Sequence, residues 1–285
     1  MSFTEFWKEF YIKYIAYGDY QRELTNNLPT TYGVGTKYHF ILSGMMLIFI
    51  VWFCFRTRHN SYNELYKKQK KISAFMLIVE LLRMVYMLIY RPEVYAWRFD
   101  YCNQVCLFMP ILILCGFKAS FPFLMAVAFW GGTGVMLYPL WVFRDYGGFH
   151  LITVQSMISH GLMVLSSLNL ARLHKVDMHT DFRTATFGFL CMATISFAMG
   201  AIRNENYMAL FDPKGLPVLK YLSYPWHIPF VLGIIILGIF LILLLYKKLD
   251  KYILVFDLRE KYKEYDANYN KEGIKNELQE PNITL

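Results

Sequence analysis

Seven apolar stretches, each bounded by charged or turn-forming residues, divide most of the chain: about 39–55, 72–90, 98–117, 121–143, 150–171, 184–202 and 225–246. Stretches of about 20 residues are long enough, as helices, to cross the ~30 Å of hydrocarbon in a bilayer. The pattern therefore predicts an all-α, polytopic membrane helix bundle of about seven transmembrane helices. The third stretch is the weakest, because its uninterrupted apolar part, Val105 to Phe117, must recruit residues back to about Arg98. That draws Asp100, Cys102 and Asn103 into the membrane or its edge.

Ahead of the first stretch, Phe3, Phe6, Trp7, Phe10, Tyr11, Tyr14 and Ile15 recur at helical spacing, with Glu5, Lys8, Glu9 and Lys13 on the other face. Such an amphipathic helix can lie in the membrane interface or pack on the outer ends of a bundle. The chain then reads as an N-terminal tail (1–37), a transmembrane domain (38–246) and a charged tail (247–285) whose last third has the composition of disorder. No leader, internal repeat or soluble domain is visible. Basic residues cluster between Arg56 and Lys71 and recur at Arg172, Lys175, Arg183, Lys247, Lys248 and Lys251. With seven spans these share one side, which by the positive-inside rule puts the N-terminus outside and the C-terminus in the cytoplasm.

Composition agrees with this reading: 56% of residues are hydrophobic, the mean hydropathy is +0.31, and a soluble protein is excluded. The net charge of +8 fits attraction to anionic lipid and calls for no nucleic acid. All five cysteines, Cys54, Cys102, Cys106, Cys115 and Cys191, fall inside predicted spans without CxxC spacing. Neither a disulfide framework nor a metal site is expected, and no cofactor is implied.

Polar residues inside spans are the functional pointers, because burying them costs several kcal/mol unless they find a partner or a cavity. Glu80 and Arg83 are three apart on one helical face and can neutralise each other, as a structural ion pair or as part of a site. Ser156 and His160 are four apart on the fifth span, with Gln155 and Ser159 beside them. Gly131, Gly132 and Gly134, followed by Pro139, either allow close helix packing or leave room for a lipid chain. Asn206, Tyr207, Trp226 and His227 fall near an interface, where Tyr and Trp are ordinary anchors.

The order of these motifs resembles a family. DYCNQ at the third span, FWGGTG ending in YP, an SHG step, then NYM and a PW pair are similar to the conserved integral-membrane proteins of the YwaF type, themselves similar to mammalian transmembrane protein 164. The resemblance covers roughly residues 38 to 246. It implies a membrane-embedded acyltransferase acting on phospholipids and lysolipids in a bacterial cell membrane, with a reactive Cys and His. Carried across, the Cys falls on Cys102, the His on His160 and an Asn–Tyr pair on Asn206 and Tyr207. Members often carry His or Gln two positions before the Cys, where this chain has Asp100; a carboxylate there could orient a protonated His or disfavour a thiolate.

The chemistry can also be argued directly. A thiol in a low-dielectric site needs a base that removes its proton during attack, and His is suited to that. His160 lies about ten residues, roughly 15 Å, below the outer end of its span. Depth alone favours Cys106 as its partner, while the motif favours Cys102. In the expected reaction Cys102 takes an acyl chain from a phospholipid ester and passes it to a lysolipid hydroxyl, with His160 moving the protons and Asn103, Ser156 or Asn206 bonding the oxyanion. The rival from another class is a small transporter or ligand-binding membrane protein in which Glu80, Arg83 and His160 line a polar path.

Overall fold

The computed structural model describes residues 3–14, 37–90, 98–138, 149–209 and 225–253. Ile15, Pro139 and the charged tail past residue 253 lie outside them. All regular structure among the described residues is helical: α1 (Phe3–Tyr14), α2 (Lys37–Arg56), α3 (Tyr62–Tyr90), α4 (Tyr101–Leu114), α5 (Phe121–Leu137), α6 (Leu151–Leu173), α7 (Met178–Arg203) and α8 (His227–Ile253), with 3-10 turns at Lys118–Ser120 and Tyr207–Ala209. Six helices, α2, α3 and α5 to α8, are long and apolar enough to cross a membrane, and α4 is a shorter apolar helix of 14 residues. The chain is an integral membrane protein with its seven apolar helices in the expected order. The amphipathic α1 exposes Phe6, Trp7 and Tyr11.

The helix ends differ from the hydropathy boundaries for local reasons. α3 begins at Tyr62 rather than 72, because Ser61 and Glu64 form a capping box: the Ser61 N–H donates to the Glu64 carboxylate at 2.8 Å and the Glu64 N–H to the Ser61 hydroxyl at 3.3 Å. α4 stops at Leu114 rather than 117. Gly116 sits at φ +77, and the Phe117 and Gly116 N–H groups turn back to the Leu112 and Ile113 carbonyls at 3.0 and 3.1 Å. This ending requires a left-handed residue, which glycine supplies without strain. α5 stops at Leu137 rather than 143, with Tyr138 already out of the helical region (φ −139, ψ 74) ahead of a proline. α7 begins at Met178 rather than 184, capped by Asp177, whose carboxyl is held below its ordinary range by hydrogen bonds from Thr180.

Cross-helix bonds fix the directions. Tyr101 donates to the Val127 carbonyl at 2.9 Å and Ser167 to the Met125 carbonyl at 2.5 Å, so α5 runs against both α4 and α6. Gln69 donates to Ser166 at 2.9 Å and Tyr86 packs edge-on to His150, so α3 also runs against α6. Arg172 donates to the Thr57 carbonyl at 2.7 Å, which joins the ends of α2 and α6. The bundle therefore has one end where α4 and α6 begin, here called the head. The opposite end carries Arg172, the basic start of α3 and Lys118, whose ammonium lies 5.3 Å from the Tyr62 ring.

The core is centred on α5 and α6. From Phe121 to Ala128 every α5 side chain is buried, as is every α6 residue from Ser159 to Leu173 except Leu168. The two helices meet at Gly132. A Cβ there would lie 2.6 Å from the His160 carbonyl oxygen and 2.8 Å from the Val164 side chain, while one at Gly131 would lie 2.8 Å from the Tyr101 ring. A carbonyl inside a helix cannot swing aside, so only glycine permits this approach. At the head, Met136 is in the last turn of α5, where carbonyls lack helical donors, and His39 Nε2 and Ser43 from α2 donate to its oxygen at 2.8 and 3.0 Å.

Gly132→Ala is expected to lower stability by about 1–3 kcal/mol through overpacking against an immovable carbonyl. Gly134→Ala, with nothing within 4 Å of the added carbon, should be neutral or stabilising by up to ~1 kcal/mol. Thermal unfolding of the two variants in detergent checks the contrast; equal loss in both would mean that the seam is not the tight point.

Candidate functional site

His160 lies one turn past Ser156 on α6 and is 7% exposed. Its Nδ1 is 2.7 Å from the Ser156 carbonyl oxygen. A carbonyl can only accept, so Nδ1 carries the proton and neutral His160 presents Nε2 as a bare acceptor. That nitrogen is buried and has no hydrogen-bond partner among the described residues. A buried imidazole nitrogen with an unused lone pair costs free energy if it serves nothing. The neighbouring Gln155 and Ser159 bond to each other at 3.0 Å, and the Ser156 hydroxyl is 3.4 Å from His160 Nδ1.

α4 faces this stretch of α6. Cys106 is buried, and its thiol sulfur is 3.5 Å from the Met163 sulfur, so Cys106 and Met163 mark one level of the bundle. α4 and α6 run parallel. One turn toward the head from that level brings Cys102 about 6 Å up α4 and His160 about 4.5 Å up α6, nearly level with each other. The spacings of four and three keep both on the faces that carry Cys106 and Met163. Cys102 is half-buried and its thiol has no hydrogen-bond partner among the described residues. Tyr101 and Met163 both abut Gly131, which gathers the start of α4, α5 and α6 into one corner.

The other expected site residues separate into two groups. Asn103, next to Cys102, is half-buried, and Ser156 is part of the His160 anchor. Asp100, at the N-cap of α4, pairs with Arg98 at 2.8 Å and accepts the Met208 backbone N–H, and it lies within electrostatic reach of the Cys102 thiol. Tyr207 is fully buried against the Phe99 ring, centroids 5.8 Å apart, while Asn206 is exposed. The turn carrying them is shaped by Asn204 and Met208 at φ 52 and 55. Gln104, in the first turn of α4, is fully buried and joins that helix to α7, donating to Phe99 O at 2.9 Å and Ser196 Oγ at 2.6 Å. An amide inside the apolar stretch was the available sign of its importance. Met163 and Arg98 carried no such sign.

Glu80 and Arg83 form a bidentate pair on α3, at 3.0 Å from Nε and 2.5 Å from Nη2, with Glu80 1% exposed. Cys106 lies within electrostatic reach of both. Among the described residues, no three His, Cys, Asp or Glu side chains gather in a set that could hold a metal ion.

Comparison with known families gives a match to the TMEM164 family over residues 34–246, three-quarters of the chain and all seven apolar helices. The chain belongs to the TMEM164 family. No curated protein and no solved structure matches it. The TMEM164 segment begins just before α2 and ends within α8, so it encloses Glu80, Arg83, Cys102, His160 and Tyr207 and leaves out α1 and the charged tail.

Breaking the buried Glu80–Arg83 pair by replacing either residue alone should cost about 3–5 kcal/mol, whereas a double apolar replacement should be milder. Thermal unfolding of the three variants in detergent tests this. Equal damage in all three would show that mutual neutralisation is not what the pair provides.

Proposed function

We propose that this TMEM164-family protein is an acyltransferase that moves a fatty acyl chain from a phospholipid to a lysolipid through Cys102 and His160. The observation that carries the reading is the fixed tautomer of His160: with Nδ1–H bound to Ser156, the bare Nε2 is a base at the level of the Cys102 thiol. Cys106, the alternative nucleophile, has its thiol against Met163. Cys102 sulfur attacks the ester carbonyl carbon while its proton passes to His160 Nε2. The tetrahedral intermediate expels the lysolipid alkoxide, which takes that proton, and an acyl-thioester is left on Cys102. An acceptor hydroxyl, deprotonated by the same nitrogen, then attacks the thioester and releases Cys102 as the thiol. Asn103 and Ser156 are the polar neighbours available to the oxyanion. We place the basic end of the bundle at the cytoplasmic face, which puts the head, where α4 and α6 begin, at the outer face.

Incubating the purified protein with acyl-radiolabelled phosphatidylcholine should leave hydroxylamine-sensitive label on the chain. Cys102→Ala should abolish capture and transfer with folding intact, His160→Ala should slow capture by about 10²–10⁴-fold, and the double variant should be little worse than either. Loss in Cys106→Ala with normal activity in Cys102→Ala would shift the nucleophile one turn. Normal transfer in both would favour the transporter reading. Accessibility tagging of a cysteine placed at residue 60 should label only from the cytoplasmic side, and outside labelling would reverse the orientation.

A further inference from the structure

The head carries a second set of unused polar atoms, just above Cys102. Arg98 lies immediately before α4, and Asp100 takes its guanidinium through Nε alone, at 2.8 Å. The Nη groups make no hydrogen bond to the described residues, and the side chain is 44% exposed. The guanidinium carbon is 5.9 Å from the centroid of the Tyr207 ring, within electrostatic reach of the Tyr207 hydroxyl. Tyr207 is fully buried, yet that hydroxyl has no hydrogen-bond partner among the described residues. Arg203, at the end of α7, sets a second guanidinium 4.9 Å from the Phe99 ring, which packs on Tyr207. A buried hydroxyl without a partner costs free energy. The phenol and the Arg98 Nη groups are donors lacking an acceptor, and such a set matches an oxyanion, phosphate above all. Asp100 and Glu205, both within reach of Arg98, bring the cluster near neutrality. Its field therefore gathers few anions from bulk water, and the phosphate it suits is one delivered on a larger molecule.

We propose that Arg98 and Tyr207 form a headgroup subsite that binds the phosphate of the phospholipid substrate and sets its ester over Cys102. The inference rests on the acyl-transfer reading. Asp100, which holds Arg98, is within electrostatic reach of the Cys102 thiol, so the guanidinium stands one carboxylate away from the nucleophile. In a glycerophospholipid the phosphate and the central ester hang from adjacent glycerol carbons. A lipid whose phosphate meets the Arg98 Nη groups and the Tyr207 hydroxyl therefore has that ester at the first turn of α4, with its acyl chains running on into the bundle's apolar depth. The Asp100 carboxylate, which also accepts the Met208 N–H, ties Arg98 to the turn that carries Tyr207, so both donors are placed before the lipid arrives.

The test compares acyl capture from two lipids with the same esters, tritiated phosphatidylcholine and tritiated diacylglycerol, each in mixed detergent micelles. Only the first carries a phosphate. The unmodified protein should capture label from phosphatidylcholine about 10–100-fold faster, as expected for hydrogen bonds to a charged group. Arg98→Gln also unpairs Asp100 beside the thiol and so slows both reactions; the readout is therefore the ratio of the two rates, which should fall by about 10-fold. Tyr207→Phe, which keeps the Arg98–Asp100 pair, should lower the same ratio by about 5-fold. An unchanged ratio in either folded variant would overturn the subsite and leave acyl transfer standing. Equal capture from the two lipids by the unmodified protein would do the same, and slowing of both by added sodium phosphate would then assign the cluster to free phosphate. Absence of hydroxylamine-sensitive label from either lipid on the unmodified protein would overturn acyl transfer, and this subsite with it.

Discussion

The bundle is organised by the approach of α5 to α6 at Gly132, where no side chain separates one helix from a backbone carbonyl of the other. In a bilayer, lipid tails are as apolar as the helix surfaces, so helices associate through close packing and buried hydrogen bonds rather than through expulsion of water. The Gly131–Gly132 step provides the packing for three helices at once. It brings α6 against α5 and lets the Tyr101 ring of α4 lie over the same spot, with the tyrosine hydroxyl bound to the Val127 carbonyl. The carbonyl that Gly132 accommodates is that of His160. Spacing between the helices and placement of the imidazole are therefore one constraint.

Buried hydrogen bonds supply the second hold, and they are distributed by depth. Toward the basic end, Asn169 donates to Gln69, which donates in turn to Ser166 and Ser73, so α3 and α6 share a chain of amides and hydroxyls. Below it, Arg172 spends its guanidinium on the Thr57 hydroxyl and carbonyl, locking the end of α2. Ser167 accepts the Tyr246 hydroxyl while donating to Met125, which ties α8 to the central pair. Among the buried atoms with no hydrogen-bond partner in the described residues are Asn169 Oδ1, in this chain of bonds, and His160 Nε2, nearer the head; of the two, only the imidazole nitrogen is a base.

Fold class was legible because run length and hydropathy are properties of single helices, and a bilayer imposes one length on all of them. Helix ends were less legible, since hydropathy cannot see a capping box. The Ser61–Glu64 pair and Gly116 were both readable as end signals, yet each lies where apolar content alone extends or shortens the span. In the candidate site, the spacing of Ser156 and His160 was visible, but the bond that fixes the tautomer goes to a backbone carbonyl, which has no signature in sequence. Choosing between Cys102 and Cys106 depends on the register of α4 against α6, a tertiary quantity set by Met163 and the glycines. Asp100 read as a neighbour of the thiol and lies within its electrostatic reach, but its bonding partners, Arg98 and a turn about a hundred residues further along the chain, are ones no local pattern reveals.

The shortness of α4 reaches beyond the protein. Its 14 residues measure about 21 Å, against the ~30 Å of a bilayer's apolar slab, and its far end is tied to the basic side by the turn at Gly116 and by Lys118. Lipids beside its head meet a hydrophobic mismatch, and the membrane answers mismatch by thinning locally or by letting headgroups sink. Either response lowers the glycerol backbone of an adjacent phospholipid toward the first turn of α4. A helix that fails to cross can thus bring the bilayer's own ester bonds toward the depth of Cys102.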